Sequence, residues 1–172
     1  MSTEENRRAT ILVVEDEDVV RRILAAILQD LGHTVLEARD GEEATGLLDQ
    51  HVVDLLISDK NLPGISGLDL MRACKEKRPD AEVIMVTGYA SYESAVEALR
   101  LGACEYIEKP FLDLVAIRNR VQQAIERKFS RELPLRPVAL AERLATALKS
   151  SGNPREREAV PLAEQLVTAL KS

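Results

Sequence analysis

Five residues carry the chemistry of this chain: Glu15, Asp16, Asp59, Thr87 and Lys109. Each follows a short stretch that reads as a strand. Glu15 and Asp16 follow Ile11–Val14, Asp59 follows Val53–Ser58, Thr87 follows Glu82–Val86, and Lys109 follows Glu105–Ile107. If those runs are parallel strands of one open sheet, all five residues lie at carboxyl ends and converge on one edge. Ligands of such sheets bind in the crevice along that edge. Gathered carboxylates repel one another unless a cation neutralises them. An all-oxygen donor set, with no Cys or His near it in sequence, suits Mg²⁺ and leaves coordination positions for water and a phosphoryl oxygen. Lys109 adds a point positive charge and Thr87 a hydroxyl donor, so the set describes a site for a tetrahedral anion held beside a metal.

Plainer accounts exist for each residue. Glu15 to Asp18 are consecutive acids before a helix, where they favour the helix dipole. An Asp after a strand is commonly a cap or turn residue. Thr87 before Gly88 suits a turn, and a lysine is usually a solvated charge. The functional reading has the advantage that it explains all of them at one edge.

The elements that must position these residues are legible as alternating patterns. Ile11–Val14 is short, branched and wholly apolar, as a strand covered on both faces should be. Asp18–Leu31 places Val20, Ile23, Leu24, Ile27, Leu28 and Leu31 at helical spacing, and Gly32 ends it. Further strands are expected at Thr34–Ala38, Val53–Ser58, Glu82–Val86 and Glu105–Ile107. Helices are expected from Asp40-Gly41 to Asp49, Ser66–Lys77, Ser91–Leu101 and Leu112 to about Phe129. Such alternation predicts an α/β fold, a parallel sheet with helices on both faces, because parallel strands require crossover connections.

Beyond Phe129 the composition changes. Residues 130–172 hold seven Lys/Arg and five Asp/Glu, against 16 and 24 in residues 1–129, and they contain four of the seven prolines. This tail repeats itself: Val138–Ser150 (VALAERLATALKS) and Val160–Ser172 (VPLAEQLVTALKS) agree at ten of 13 positions. Each copy reads as a short amphipathic helix, with Leu140, Leu144, Ala147 and Leu148 answering to Leu162, Leu166, Ala169 and Leu170. Gly152-Asn153-Pro154 reads as the turn between them. The expected organisation is a flexible stretch at 1–8, one domain at 9–129 and a Pro-interrupted tail at 130–172.

Composition sets further limits. The net charge of −6 and the absence of Trp argue against a basic or aromatic nucleic-acid surface. No apolar run reaches the ~18 residues of a membrane span, and MSTEENRRAT lacks the apolar core expected of a signal peptide. Cys74 and Cys104 form no metal spacing and read as reduced thiols in a cytoplasm.

At the residues named above the sequence resembles the receiver domain of two-component response regulators. The segments ILVVEDED, LLISDKNLPGISGLDLM, VIMVTGYAS and GACEYIEKPF carry the resemblance, which covers about residues 9 to 129. It implies a flavodoxin-like, doubly wound five-stranded sheet of order 2-1-3-4-5, here with a C-terminal helical extension. It implies that Asp59 accepts a phosphoryl group and that Mg²⁺ is held by Asp16 directly, Glu15 through water, Asp59, and the backbone carbonyl of Asn61. By the same resemblance Thr87 and Lys109 take phosphoryl oxygens, and Lys109-Pro110 is a cis peptide that aims the lysine inward. Tyr106 is the switch aromatic, Gly88 leaves a path to Asp59, and Asn61 and Tyr89 fall at positions that tune the phosphoryl lifetime.

The implied activity is reversible self-phosphorylation at Asp59 from the phosphohistidine of a sensor histidine kinase or phosphotransfer protein, without enzymatic turnover of other substrates. A kinase is expected near Asp18–Leu31, where Arg21 and Arg22 read as a solvated face. A homodimer is expected through the face made by the fourth helix, fifth strand and fifth helix, or through the tail. The tail shows no helix-turn-helix pattern, basic cluster or zinc spacing, so direct DNA binding is not expected, and the output is expected through protein contacts. The alternative is a relay intermediate or phosphate sink without an output surface. An aspartate-nucleophile phosphatase would need a second Asp two residues after the first, where this chain has Asn61.

Overall fold

In a computed structural model the described residues are 7–89, 91–132, 141, 142, 145, 146, 148, 149 and 154–171. The first strand, β1 (Thr10–Val14), leads into α1 (Asp18–Asp30), and β2 (Thr34–Ala38) into α2 (Gly41–Gln50). Next come β3 (Leu55–Asp59), α3 (Gly67–Lys77), β4 (Glu82–Thr87), α4 (Tyr92–Arg100), β5 (Glu105–Glu108) and α5 (Leu114–Glu132). The strands form one sheet in the order β2-β1-β3-β4-β5, and every pairing is parallel. This is the flavodoxin-like order. The chain divides into two compact units, Met1–Phe129 and Ser130–Ser172.

Alternation along the strands builds two cores. Leu12, Val14, Leu56, Val83 and Met85 point to one face, where Ala44 and Leu48 of α2, Leu70, Met71 and Cys74 of α3, and Ala98 of α4 cover them. Ile11, Val13, Leu55, Ile57, Ile84 and Val86 point to the other, under Leu24 and Leu28 of α1 and Ile117, Val121, Ala124 and Ile125 of α5. The inner strands β1, β3 and β4 are therefore apolar at nearly every position, and their carboxyl ends are where polar residues first become tolerable.

The boundaries differ from the sequence expectation in ways that matter. The ladder of β3 begins at Leu55, opposite Ile11, because the carboxylate of Asp54 accepts the Thr10 N–H at 2.8 Å and closes the start of the sheet. Asp59 and Thr87 are the last residues of their strands rather than the first beyond them, paired in register with Val86 and Glu108. Their backbones are thus fixed by the sheet itself. Helix starts follow cap chemistry: Asp40, Ser66 and Ser91 accept N–H groups of the first turns of α2, α3 and α4. Asp113 does the same for Ala116 at 3.0 Å, so α5 opens after Leu112 rather than at it. Lys109-Pro110 is cis.

In the second unit α6 (Pro154–Arg157) precedes α7 (Val160–Lys171). The first repeat copy and the expected turn fall largely outside the described residues, as do Leu140, Leu144 and Ala147; of residues 1–8, only Arg7 and Arg8 are described. In α7 the expected leucine stripe is not the buried one: Leu162 and Leu166 are 70% and 47% exposed, while Ala163 is buried. Ala141 and Ala145 of the first copy are also buried, and Lys149 pairs with Glu164 at 2.6 Å between the copies. Among the described residues no helix is long and apolar enough to cross a membrane.

Gly67 holds β3 and α3 together. Its N–H donates to the Lys60 carbonyl at 2.9 Å, and a Cβ added there would press on the Asp59 carbonyl and lie 2.8 Å from the Lys60 Cα. Gly46, inside α2, has nothing within 4 Å of the same position. Gly67→Ala is expected to destabilise the protein by about 1–3 kcal/mol through overpacking. Gly46→Ala should instead stabilise by about 0.5–1 kcal/mol through helix entropy. Urea unfolding of both variants reads the contrast; equal effects of one sign would show that the β3–α3 approach carries no strain.

Candidate functional site

The carboxyl edge of the sheet gathers the acids. Glu15 and Asp16 leave β1, Asp59 ends β3, and one oxygen from each lies within 4.8 Å of the others. Glu15 and Asp59 are buried, whereas Asp16 is exposed. Lys109, directly after β5, reaches back across this cluster. Its Nζ lies 2.8 Å from Glu15 Oε2, 2.8 Å from Asp59 Oδ2 and 3.3 Å from Glu17 Oε1. The Lys109 N–H donates to the Thr87 carbonyl at 2.8 Å, which locks the lysine's backbone to the end of β4. The other carboxylate oxygen of Asp59, Oδ1, accepts the Asn61 N–H at 2.8 Å.

One ammonium serves more carboxylates than it can neutralise. Burial pushes Glu15 up to about 7, against the hydrogen bonds from Lys109 and the Glu17 N–H, and the charge of Asp59 adds to the rise. Burial alone would pull Lys109 down, but hydrogen bonds to Asp59 and Glu15 and their negative charges outweigh it, so its pKa lies above the ordinary lysine value. Three carboxylates converge on a single lysine, so the pocket is short of positive charge. The donors are all oxygen, two of them buried and one open to water. That set suits a hard divalent cation such as Mg²⁺ better than zinc or copper.

Thr87 is fully buried, and its hydroxyl is turned to the following loop. It accepts the Tyr89 N–H at 3.2 Å and lies 3.4 Å from the Tyr89 carbonyl, so it is engaged there rather than with the acids. Tyr106 is half-buried in β5, and its hydroxyl is 2.8 Å from Ser94 Oγ. Ser94 belongs to the capping box of α4, exchanging hydrogen bonds with Ser91. The aromatic is therefore held by the N-terminus of α4. An added Cβ at Gly88 would meet nothing within 4 Å.

Sequence reasoning missed Glu17 and Ser94. Glu17 was one acid in a run read as helix-start chemistry, and only the reach of Lys109 singles it out. Ser94 was visible as Ser-x-x-Ser before an apolar pattern, but its second partner, Tyr106, is 12 residues away and depends on the β5–α4 packing. Arg21 departs from the solvated-face expectation: its side chain is 12% exposed and its Nη1 donates to the Glu15 carbonyl at 2.8 Å. Arg22 is exposed as expected.

Comparison with known proteins agrees with this geometry. The profile of the response regulator receiver domain matches residues 11–122. The chemotaxis protein CheY of Pseudomonas aeruginosa is 38% identical over 120 residues, covering 68% of this chain and 96% of that one. Other curated relatives are longer, and the chain spans 22% to 52% of several of them. A CheY-like receiver domain from Methanospirillum hungatei superposes with a TM-score of 0.69 at 28% identity, covering 73% of this chain and 99% of that one. The response regulator TrrA of Thermotoga maritima, solved with Mg²⁺ and beryllofluoride, superposes at 0.61 with 34% identity, covering 67% of this chain and 98% of that one.

The Ser94–Tyr106 link is testable by a double-mutant cycle in chemical unfolding. Tyr106→Phe is expected to cost about 0.5–1.5 kcal/mol, the worth of one hydrogen bond. Ser94→Ala should cost more, about 1–2 kcal/mol, because it also breaks the cap of α4. The double variant should lose less than the sum of the two. Strict additivity would mean that the tyrosine is not held by α4.

Proposed function

The chain belongs to the response regulator receiver domain family of two-component systems, and on that premise we propose that it accepts a phosphoryl group on Asp59 and signals by protein contacts. The donor in this reading is the phosphohistidine of a sensor histidine kinase or of a phosphotransfer protein. One observation carries it: a buried aspartate at a strand end shares a lysine with a second buried acid in a pocket short of positive charge.

The Asp59 carboxylate attacks phosphorus, an O–P bond forms, the P–N bond breaks, and the electron pair returns to the imidazole. The in-line approach needs an open lane, and Gly88 offers no side chain to block it. Asp16, Asp59, the Asn61 carbonyl and, through water, Glu15 would hold Mg²⁺, which when bound supplies positive charge to the crowded carboxylates and to the phosphoryl oxygens. Lys109 has its ammonium within reach of Asp59 already, so it can follow the incoming anion while staying on the same residue. To donate to a phosphoryl oxygen, Thr87 must turn its O–H away from the Tyr89 carbonyl. That exchange alters the loop leading to Ser91, and hence the cap that holds Tyr106. The ring can then move toward the space that Thr87 leaves, which reshapes the face of α4, β5 and α5. A local charge event thereby biases a two-state element.

The surfaces available for partners fit this reading. Val19 and Ile23 of α1, and Leu112, Leu114 and Val115 around the start of α5, are exposed apolar residues. Both elements start at the carboxyl edge and lie on the same sheet face, where a kinase can meet Asp59. Tyr92 and Leu99 of α4 are exposed on the switch side, and Leu162 and Leu166 in the tail, as a second copy of the chain would require. In this reading the output runs through protein contacts rather than DNA, and the chemistry is limited to transfer to and hydrolysis from Asp59. Free thiols at Cys74 and Cys104 suit a reducing cytoplasm.

A small phosphodonor with Mg²⁺ should add the mass of one phosphate to the intact protein, and the Asp59→Asn variant should gain none. Light scattering of the same samples reads whether phosphorylation changes the oligomer. Labelling that persists in Asp59→Asn, or that ignores chelation of Mg²⁺, would overturn the assignment.

A further inference from the structure

We propose that Arg21 is a positioning residue for the metal site: it fixes the Glu15–Asp16 turn and so sets the affinity for Mg²⁺ rather than the reactivity of Asp59. This rests on the functional reading above. Arg21 sits in α1, yet its long side chain is almost covered, at 12% exposure. Its three guanidinium nitrogens serve three places. Nη1 donates to the Glu15 carbonyl at 2.8 Å, Nη2 to the Asp18 carboxylate, and Nε lies 3.5 Å from Glu37 Oε2 on β2. The planar fork makes this possible, and lysine, with one nitrogen, cannot reproduce it.

The carbonyl contact is the informative one. A peptide is planar, so fixing the Glu15 C=O fixes the plane from which the Asp16 Cα departs. The same residue is fixed from its other end, because the Glu15 N–H donates to the Ala38 carbonyl at 3.1 Å. Its carboxylate accepts the Glu17 N–H at 3.2 Å and the Lys109 ammonium at 2.8 Å. Glu15 is thereby held through its N–H, its C=O and both carboxylate oxygens, and the exposed Asp16 inherits its direction from that frame.

An exposed Arg–Asp pair one turn apart contributes little by itself. Arg21 differs because it joins the acidic turn to β2 and lies mostly out of solvent. It touches the backbone of the acid pair, and its guanidinium meets neither the Glu15 carboxylate nor Asp59 among its contacts. Loss of this residue therefore acts through geometry. Mg²⁺ demands near-ideal octahedral placement of its oxygen ligands, so a small rotation of the Asp16 carboxylate is felt first as lost affinity.

The test is calorimetric titration of the full chain with Mg²⁺ alone, beside phosphorylation by a small phosphodonor over a range of Mg²⁺. Arg21→Met is expected to weaken Mg²⁺ binding by roughly tenfold or more, as groups behind metal ligands do. Its phosphorylation rate at saturating Mg²⁺ should stay within about twofold of wild type, since transition-state contacts are untouched. Arg22→Met, exposed on the next position, should match wild type. Arg21→Lys, which keeps the charge and one donor, should fall between and serves if the Met variant does not fold. Unchanged Mg²⁺ affinity in folded Arg21 variants, or an equal loss in Arg22→Met, would overturn the inference. A wild-type chain that binds no Mg²⁺ would instead remove the reading of the pocket itself.

Discussion

One ammonium stands among too many carboxylates. Lys109 lies at 2.8 Å from both Glu15 and Asp59 and at 3.3 Å from Glu17, with Asp16 beside them. In water this clustering would cost little; at a sheet edge where two of the acids are buried, unscreened repulsion is strong. The arrangement persists because the backbones that bear these groups are held elsewhere. Asp59 is locked into the ladder with β4, Lys109 is tied to Thr87, and Glu15 is bonded to β2 and to Arg21. The fold thus forces negative charge into one place and supplies less positive charge than would satisfy it. In the proposed function a hard cation, and then an anion bound beside it, would complete what the chain leaves incomplete.

On the proposed function, the same constraint would carry an event at Asp59 to a distant face. Thr87 is buried and its hydroxyl both donates to and accepts from the Tyr89 backbone, so a new acceptor for its O–H must displace the Tyr89 carbonyl. The chain from Tyr89 to Ser91 is short, and Ser91 and Ser94 cap α4 while Ser94 holds the Tyr106 hydroxyl. In the proposed reading, this short route from Thr87 to the α4 cap is how a tyrosine on β5 would report on a threonine at the end of β4.

Much of this was legible in the sequence because the informative residues sit where periodicity ends. Apolar runs such as ILVV and VIMV define the strands, and a polar residue straight after each run must lie at a carboxyl edge. That logic located Glu15, Asp16, Asp59, Thr87 and Lys109 without side-chain detail. It failed by one residue at Asp59 and Thr87, which remain in the ladder because the registers with Val86 and Glu108 extend that far. It also failed where a role depends on a contact distant in sequence. Nothing local distinguishes Arg21 from Arg22, or shows that Ser94 meets Tyr106. Gly67 looks like any helix-start glycine until the Lys60 backbone is seen against it. In the tail, an apolar stripe marked a helix but not its inner face: leucines at 162 and 166 stay exposed while Ala163 is buried.

The most direct measurement is a Mg²⁺ titration of the side-chain carboxyl ¹³C resonances of the whole chain. If the acid pocket is short of positive charge and closes around one divalent cation, the signals of Glu15, Asp16 and Asp59 move together along one binding curve, and those of surface acids such as Asp30 and Glu93 stay still. Movement of Asp16 alone, with Glu15 and Asp59 unchanged at saturation, would contradict the account.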